Sequence, residues 1–113
     1  MHHFPSLPQF SSVAPPLLVP GQYHVYILLC ADGSYYVGQS NNVSERLRKH
    51  SYGLGSKHTA EHPLTRLIYA EGPYSLCSAV SREAQLKRWS RAKKEALVRG
   101  DAQCLHLLAV SRD

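Results

Sequence analysis

Cysteine is scarce and unpaired in this 113-residue chain: Cys30, Cys77 and Cys104 lie far apart, and no C-x-x-C pair occurs. That argues against a zinc knuckle or a dithiol redox motif. An odd number of cysteines without a framework suits a reducing cytoplasm, the expected location. Cys30, inside an apolar run, is expected to be a buried, inert thiol. No apolar run approaches the ~18 residues of a membrane span. The N-terminal stretch MHHFPSLPQFSSVAPPLLVPG has neither the basic start nor the unbroken apolar core of a signal peptide. Proline is sparse except in this stretch, where five of the seven prolines fall (Pro5, Pro8, Pro15, Pro16, Pro20). That density blocks helix and strand ladders, so residues 1–21 read as a flexible or extended lead-in. Residues 22–113 then form one domain, the size a single core supports. Acidic residues are few: eight against thirteen Lys and Arg, a formal charge of +5. Such a balance points to an acidic partner, nucleic acid foremost, with a merely solvated basic surface as the alternative.

Structure begins at Tyr23. The run Tyr23–Cys30 is apolar, aromatic and β-branched, hence a strand. Asp32-Gly33 marks a turn, and Tyr35–Gln39 is the return strand of a hairpin. Asn42, with Glu45 three residues on, resembles a capping box for a helix over Val43–Tyr52, with Gly53 beyond its end. Residues 64–71 predict a third strand, stopped by Gly72-Pro73. A second long helix is expected to begin near Ser78 and to carry Ala79, Glu83, Leu86 and Trp89. Ser90 caps a short helix, Arg91–Arg99, ended by Gly100, and Asp101 caps a last one through Leu105 and Leu108. The fold class is therefore α/β: a small three-stranded sheet, antiparallel or mixed, that starts with a β-hairpin and is flanked by helices in the order ββαβααα.

The residues that carry chemistry are two tyrosine-bearing strands, an arginine and a histidine on the following helix, and a glutamate on a later one. His24-Val25-Tyr26 and Tyr36-Val37-Gly38 resemble the two tripeptides of the GIY-YIG nuclease family. In the first, glycine and isoleucine are replaced; in the second, valine stands for isoleucine. The continuation Gln39–His50 fits that family's helix, arginine included, and Arg82–Lys94 resembles the distal motif of its short, stand-alone bacterial members. The resemblance covers roughly residues 22 to 110 in order. It implies a nuclease in which Tyr26 is the general base or proton relay and Tyr36 lines the same cleft. Arg46 would hold the scissile phosphate, His50 would be a further catalytic member, and Glu83 would bind one divalent ion, Mg2+ or Mn2+. His24 in place of glycine puts a side chain close to that cleft.

Physical chemistry reaches the same roles separately. Phosphodiester hydrolysis needs an activated water, a counter-charge for the transition state and a stabilised leaving oxygen; a divalent ion can supply the last two. Magnesium keeps most of its waters, so one carboxylate suffices as protein ligand. Arginine presents a planar fork to phosphate. Taken singly, Tyr26 and Tyr36 read as ordinary strand aromatics, Arg46 as a solvated charge and His50 as a surface histidine. Glu83 falls on the apolar stripe between Ala79 and Leu86, where a carboxylate needs a partner: an arginine such as Arg46, or a metal. The basic stretch around it, with Lys87, Arg88, Arg91 and Lys94, suits phosphate contacts, as does Lys57 in the glycine-rich loop. Trp89 stacks on a base or anchors the two helices.

The expectation is a metal-dependent endonuclease acting on DNA, with no membrane association. Low specificity, or a protein partner that supplies it, follows from the lack of an attached specificity domain. The alternative is a nucleic-acid-binding module of the same fold with little or no catalysis. The expectation that Tyr26 and Tyr36 share a cleft requires an odd-length loop or a bulge between Cys30 and Tyr35, because a two-residue turn would place them on opposite faces.

Overall fold

The computed structural model describes residues 10–51 and 66–110. Among them three strands and four helices follow in the order β1 (Tyr23–Leu29), β2 (Tyr35–Ser40), α1 (Val43–Ser51), β3 (Arg66–Tyr74), α2 (Leu76–Lys87), α3 (Arg91–Arg99) and α4 (Ala102–Val110). This is the expected α/β order ββαβααα. The sheet is antiparallel throughout, with β1 between β2 and β3.

The hairpin has the odd loop that the two tyrosines require. Leu29 pairs with Tyr35, Leu28 with Tyr36 and Tyr26 with Gly38. Cys30 and Ser34 close a three-residue loop: Gly33 N–H donates to Cys30 O and Cys30 N–H to Ser34 O, both at 2.9 Å. Gly33 takes a positive φ of 86°, a conformation glycine reaches without a Cβ clash, which completes a turn followed by a one-residue bulge. Asp32 braces the loop by accepting from Ser34 N–H at 2.9 Å. Tyr26, Leu28, Tyr36 and Gly38 therefore share one face of the sheet.

Both faces are covered, which is why β1 is apolar at successive positions rather than alternating. On one face Val25, Ile27, Leu29, Val37 and Ile68 pack against Ala79 and Leu86 of α2, with Leu97 and Val98 of α3 at the margin. On the other, Tyr26, Leu28 and Leu67 pack against Val43, with Leu47 of α1 and Tyr36 beside them. Each fully buried aliphatic side chain contributes about 1.5–3 kcal/mol. The helix α4 packs on α3.

Caps set the helix boundaries much as the sequence reads. Asn42 Oδ1 accepts from Glu45 N–H at 3.2 Å, Ser90 Oγ from Lys93 N–H at 3.1 Å, and Asp101 Oδ1 from Cys104 N–H at 2.9 Å. Two boundaries differ. Gly72-Pro73 does not stop β3, which continues to a Tyr23–Tyr74 pair across an irregularity in register. β3 is an edge strand, where a proline without an N–H is tolerated. The helix α2 starts at Leu76, not near Ser78, because Ser75 is the cap and accepts from Ser78 N–H. It ends at Lys87, so Trp89 lies in the turn before α3 and not on the helix. The ends expected at residues 52 and 64 lie outside the described residues. Within the lead-in, Phe10 packs against the α2-side core and Val13 N–H donates to Leu67 O at 2.9 Å. Cys30 is buried, and that burial pushes its thiol pKa up.

Candidate active site

Tyr26 stands on the central strand, fully buried, opposite Gly38. A side chain at Gly38 would place its Cβ 2.6 Å from Tyr26 Oη and 2.7 Å from Cζ, so the tyrosine ring occupies the space that a larger residue would fill. Tyr36 lies beside it, ring centroids 6.4 Å apart and planes tilted by 43°. Arg46, on the second turn of α1, hydrogen-bonds to both tyrosine side chains. Its residue is exposed, so the guanidinium bridges a buried phenol and the solvent. Burial raises the Tyr26 pKa, the Arg46 hydrogen bond opposes that rise, and nearby Tyr36 and Glu83 add to it. The bond to Tyr26 in turn raises the pKa of Arg46. A cation at the mouth of a buried phenol is an arrangement that can receive a phosphate and hand a proton through one hydrogen bond.

Glu83 sits on α2 between the buried Ala79 and Leu86. Its carboxylate is 3.4 Å from Lys87 Nζ and its side chain is 21% exposed. The arginine partner weighed from sequence, Arg46, turns to the tyrosines. Glu83 is near enough to Tyr26 to act on its titration. Among the described residues, no three His, Cys, Asp or Glu side chains cluster as a cage. A single carboxylate in a surface-side ion pair suits a hard ion that keeps most of its waters. Gln39 lies on the α2-facing side of β2, and its Oε1 is buried with no hydrogen-bond partner among the described residues.

The other sequence candidates scatter. The side chain of His50, like Lys57, lies outside the described residues. Lys87 and Arg88 are exposed at the end of α2. Lys94 is partly buried, and that burial, then Arg91, lowers its pKa. Arg91 is engaged in the fold: Nη2 donates to Gly33 O at 2.8 Å, Nε lies 3.1 Å from Glu95, and the guanidinium sits 4.2 Å over the Tyr35 ring. Trp89 has Lys93 at 4.3 Å and Arg82 at 5.1 Å from its ring and packs on the α2-side core, the anchor role of the two weighed. His24 lies against β3, where a Cβ at Gly72 would fall 2.9 Å from His24 Cδ2.

Sequence reading missed a polar cluster beside Glu83. Glu71 accepts from Tyr69 Oη at 2.6 Å, from Tyr74 Oη, and from Arg82 Nε and Nη2 at 2.6 and 3.1 Å. The available signal was the two-residue step from Tyr69 to Glu71, which puts a carboxylate on the same strand face as a tyrosine.

Comparisons with known proteins bear on the family. A family model described as the GIY-YIG catalytic domain matches residues 22–96. A UPF0213 protein of Streptococcus pneumoniae is 44% identical over 72 residues, 64% of this chain and 73% of that one. One from Halobacterium salinarum is 40% identical over 75 residues, 66% of this chain and 97% of that one. A solution NMR structure of a UPF0213 protein from Bacillus halodurans matches with a TM-score of 0.47 at 39% identity, covering 71% of this chain and 85% of that one. No helix among the described residues is long and apolar enough to cross a membrane. With both tyrosine tripeptides on adjacent strands and the family model matching across the sheet and the helices after it, this chain belongs to the GIY-YIG domain family, a family of nuclease type.

Proposed function

We propose that this protein is a divalent-metal-dependent endonuclease that hydrolyses DNA phosphodiester bonds. Residues 22–113 would be its catalytic unit, and Glu83 would hold one Mg2+ or Mn2+ ion. The observation that carries the reading is the Tyr26–Tyr36–Arg46 group, gathered on one sheet face around a glycine that leaves room for the Tyr26 ring. Arg46 clamps a phosphate oxygen with its fork and places the phosphate one hydrogen bond from Tyr26. Tyr26 takes or relays the proton of the attacking water, and Tyr36 holds the guanidinium in place. When bound, the ion neutralises charge on the phosphate and the leaving oxygen. Lys87, Arg88 and Lys94 extend the positive surface along the backbone of the DNA.

The burial of Tyr26, which makes its proton harder to lose, favours the rival reading: a nucleic-acid-binding module with little catalysis. A cleavage panel separates the two: single-stranded, duplex and branched DNA, and RNA, each with Mg2+, Mn2+ or chelator. Metal-dependent cutting that Glu83→Gln abolishes, at unchanged melting temperature and DNA affinity, is the expected result. Salt-sensitive retention of DNA without cleavage under any condition establishes the rival. A stable Glu83→Gln protein that cuts like the parent removes Glu83 from the metal site.

A further inference from the structure

We infer that Glu71, Arg82, Tyr69 and Tyr74 form a positioning cluster that fixes the rotation of α2 on the sheet and thereby aims Glu83. The inference rests on the proposed role of Glu83 as metal ligand. Apolar packing alone leaves that rotation loosely set. Ala79 and Leu86 bury against the sheet, but hydrophobic contact is non-directional and tolerates a roll of the helix. A carboxylate–guanidinium fork is directional. Glu71 Oε2 receives Arg82 Nε at 2.6 Å and Oε1 receives Nη2 at 3.1 Å, a bidentate pairing. The tyrosine hydroxyls of residues 69 and 74 take one further site on each oxygen. Four donors on two oxygens use the full acceptor capacity of a carboxylate.

The third Arg82 nitrogen, Nη1, donates to Gln85 Oε1 at 2.8 Å, and the guanidinium lies over Trp89 at the end of the helix. The Glu71 and Arg82 side chains are only 12% and 24% exposed, so solvent screens the pair poorly. Glu83 is the next residue on α2. One residue is about 100° of helical turn. Locking Arg82 onto β3 therefore sets the direction in which Glu83 leaves the helix.

A second clamp of the same chemistry supplies the control. Tyr35 Oη donates to Glu95 Oε2 at 2.7 Å, and Arg91 joins Glu95 to Gly33 O. That clamp holds α3, which carries no candidate ligand.

The test uses the full chain and its Arg82→Lys, Tyr69→Phe/Tyr74→Phe, Glu71→Gln and Glu95→Gln variants. Three quantities are read on each: melting temperature, Mn2+ affinity from the electron paramagnetic resonance signal of free Mn2+, and DNA affinity in chelator. Arg82→Lys keeps the charge and loses the fork, so it and the double tyrosine variant are informative even where Glu71→Gln fails to fold. The first three variants are expected to weaken Mn2+ binding by about tenfold without changing DNA affinity in chelator. Glu95→Gln is expected to lower the melting temperature and leave Mn2+ affinity alone. Parent-like Mn2+ affinity in both Arg82→Lys and the double tyrosine variant overturns the inference while the proposed function stands. A parent that neither binds Mn2+ nor cuts DNA with Mn2+ or Mg2+ overturns the proposed function first, and this inference with it.

Discussion

The two faces of the sheet use tyrosine in opposite ways. On the α2 and α3 side, Tyr35, Tyr69 and Tyr74 donate to carboxylates, and burial together with those carboxylates drives their pKa values up. On the α1 side, Tyr26 and Tyr36 hydrogen-bond with Arg46; burial keeps the Tyr26 pKa raised as well, but here the bond to the partner opposes the rise instead of adding to it. A phenol on a carboxylate is a donor that keeps its proton and serves as a structural tie. A phenol on a guanidinium is an acceptor whose anion is stabilised. One residue type is thus sorted into scaffold and candidate chemistry by the charge of its partner.

The sharpest way to break this contrast is to remove one hydroxyl from each face. Tyr26→Phe is expected to cut DNA cleavage by about 10²- to 10⁴-fold with little change in melting temperature. Tyr35→Phe should do the reverse, lowering stability by about 1 kcal/mol while cleavage persists. Equal effects on activity would erase the distinction. The pH profile sharpens it. The base form of Tyr26 accumulates as pH rises, so the cleavage rate should climb through the alkaline range. Arg46→Met removes the influence that lowers the Tyr26 pKa and should move that climb to higher pH. A profile that is flat from neutral to alkaline pH in the parent contradicts the base role.

Smaller in effect is Gly38→Ala. Its methyl would meet Tyr26 Oη and Cζ well inside van der Waals distance, forcing the ring away from Arg46 at about 1–3 kcal/mol. Cleavage should fall together with the melting temperature, and a crystal structure of the variant would show the displaced ring.

The scaffold face predicts its own pH dependence. Burial pushes Glu71 up, but hydrogen bonds from Arg82, Tyr69 and Tyr74 outweigh it and hold the carboxyl below its ordinary value. Its stabilisation is therefore present above the unfolded value, about 4.3, and is lost as pH falls through the lower folded value. Thermal melts of the parent should decline over that acid range, and Glu71→Gln should flatten the decline while lowering stability by about 3 kcal/mol at neutral pH. The raised tyrosines act at the other end. Their contribution is complete below the unfolded value of about 10 and fades as pH rises above it.

The mildest effect concerns the helical cations. Charge reversal at Lys87, Arg88 and Lys94 should reduce DNA affinity and lower the log–log salt slope by about 0.7 to 0.9 for each phosphate that the variant no longer neutralises. Arg91 reversal should instead act through stability, since Arg91 bonds Gly33 O and Glu95.

The order of elements, the existence of the hairpin and the three capped helix starts were legible because each depends on short-range chemistry: strand alternation, Asp-Gly, and Asn, Ser or Asp before a helix. The tyrosine pair and the odd loop it needs were legible only through the shared cleft that the family resemblance implies, since Asp-Gly by itself suggests a two-residue turn and loop length decides which residues share a face. Glu71 and Arg82 were not, because they lie eleven positions apart on different elements and only tertiary packing brings them together. The role of Arg91 was hidden for the same reason: its partner, the Gly33 carbonyl, is backbone and carries no side-chain signal. The continuation of β3 past Pro73 was illegible because edge position, not composition, permits it.

The three-residue hairpin loop has an evolutionary consequence. Surface loops ordinarily absorb insertions and deletions, but here one residue more or fewer at Ala31–Gly33, with the same three-residue turn re-formed, would slide β2 past β1 by a half-period. Tyr36 would rotate onto the scaffold face and Val37 onto the face of Tyr26. Substitutions in the loop are filtered by whether Gly33 keeps its backbone shape and Asp32 its bond from Ser34 N–H, whereas a change of length that re-forms this turn would move the candidate catalytic residues. Descendants of this chain should therefore vary in loop composition and preserve loop length, and the place for new length lies elsewhere on the surface.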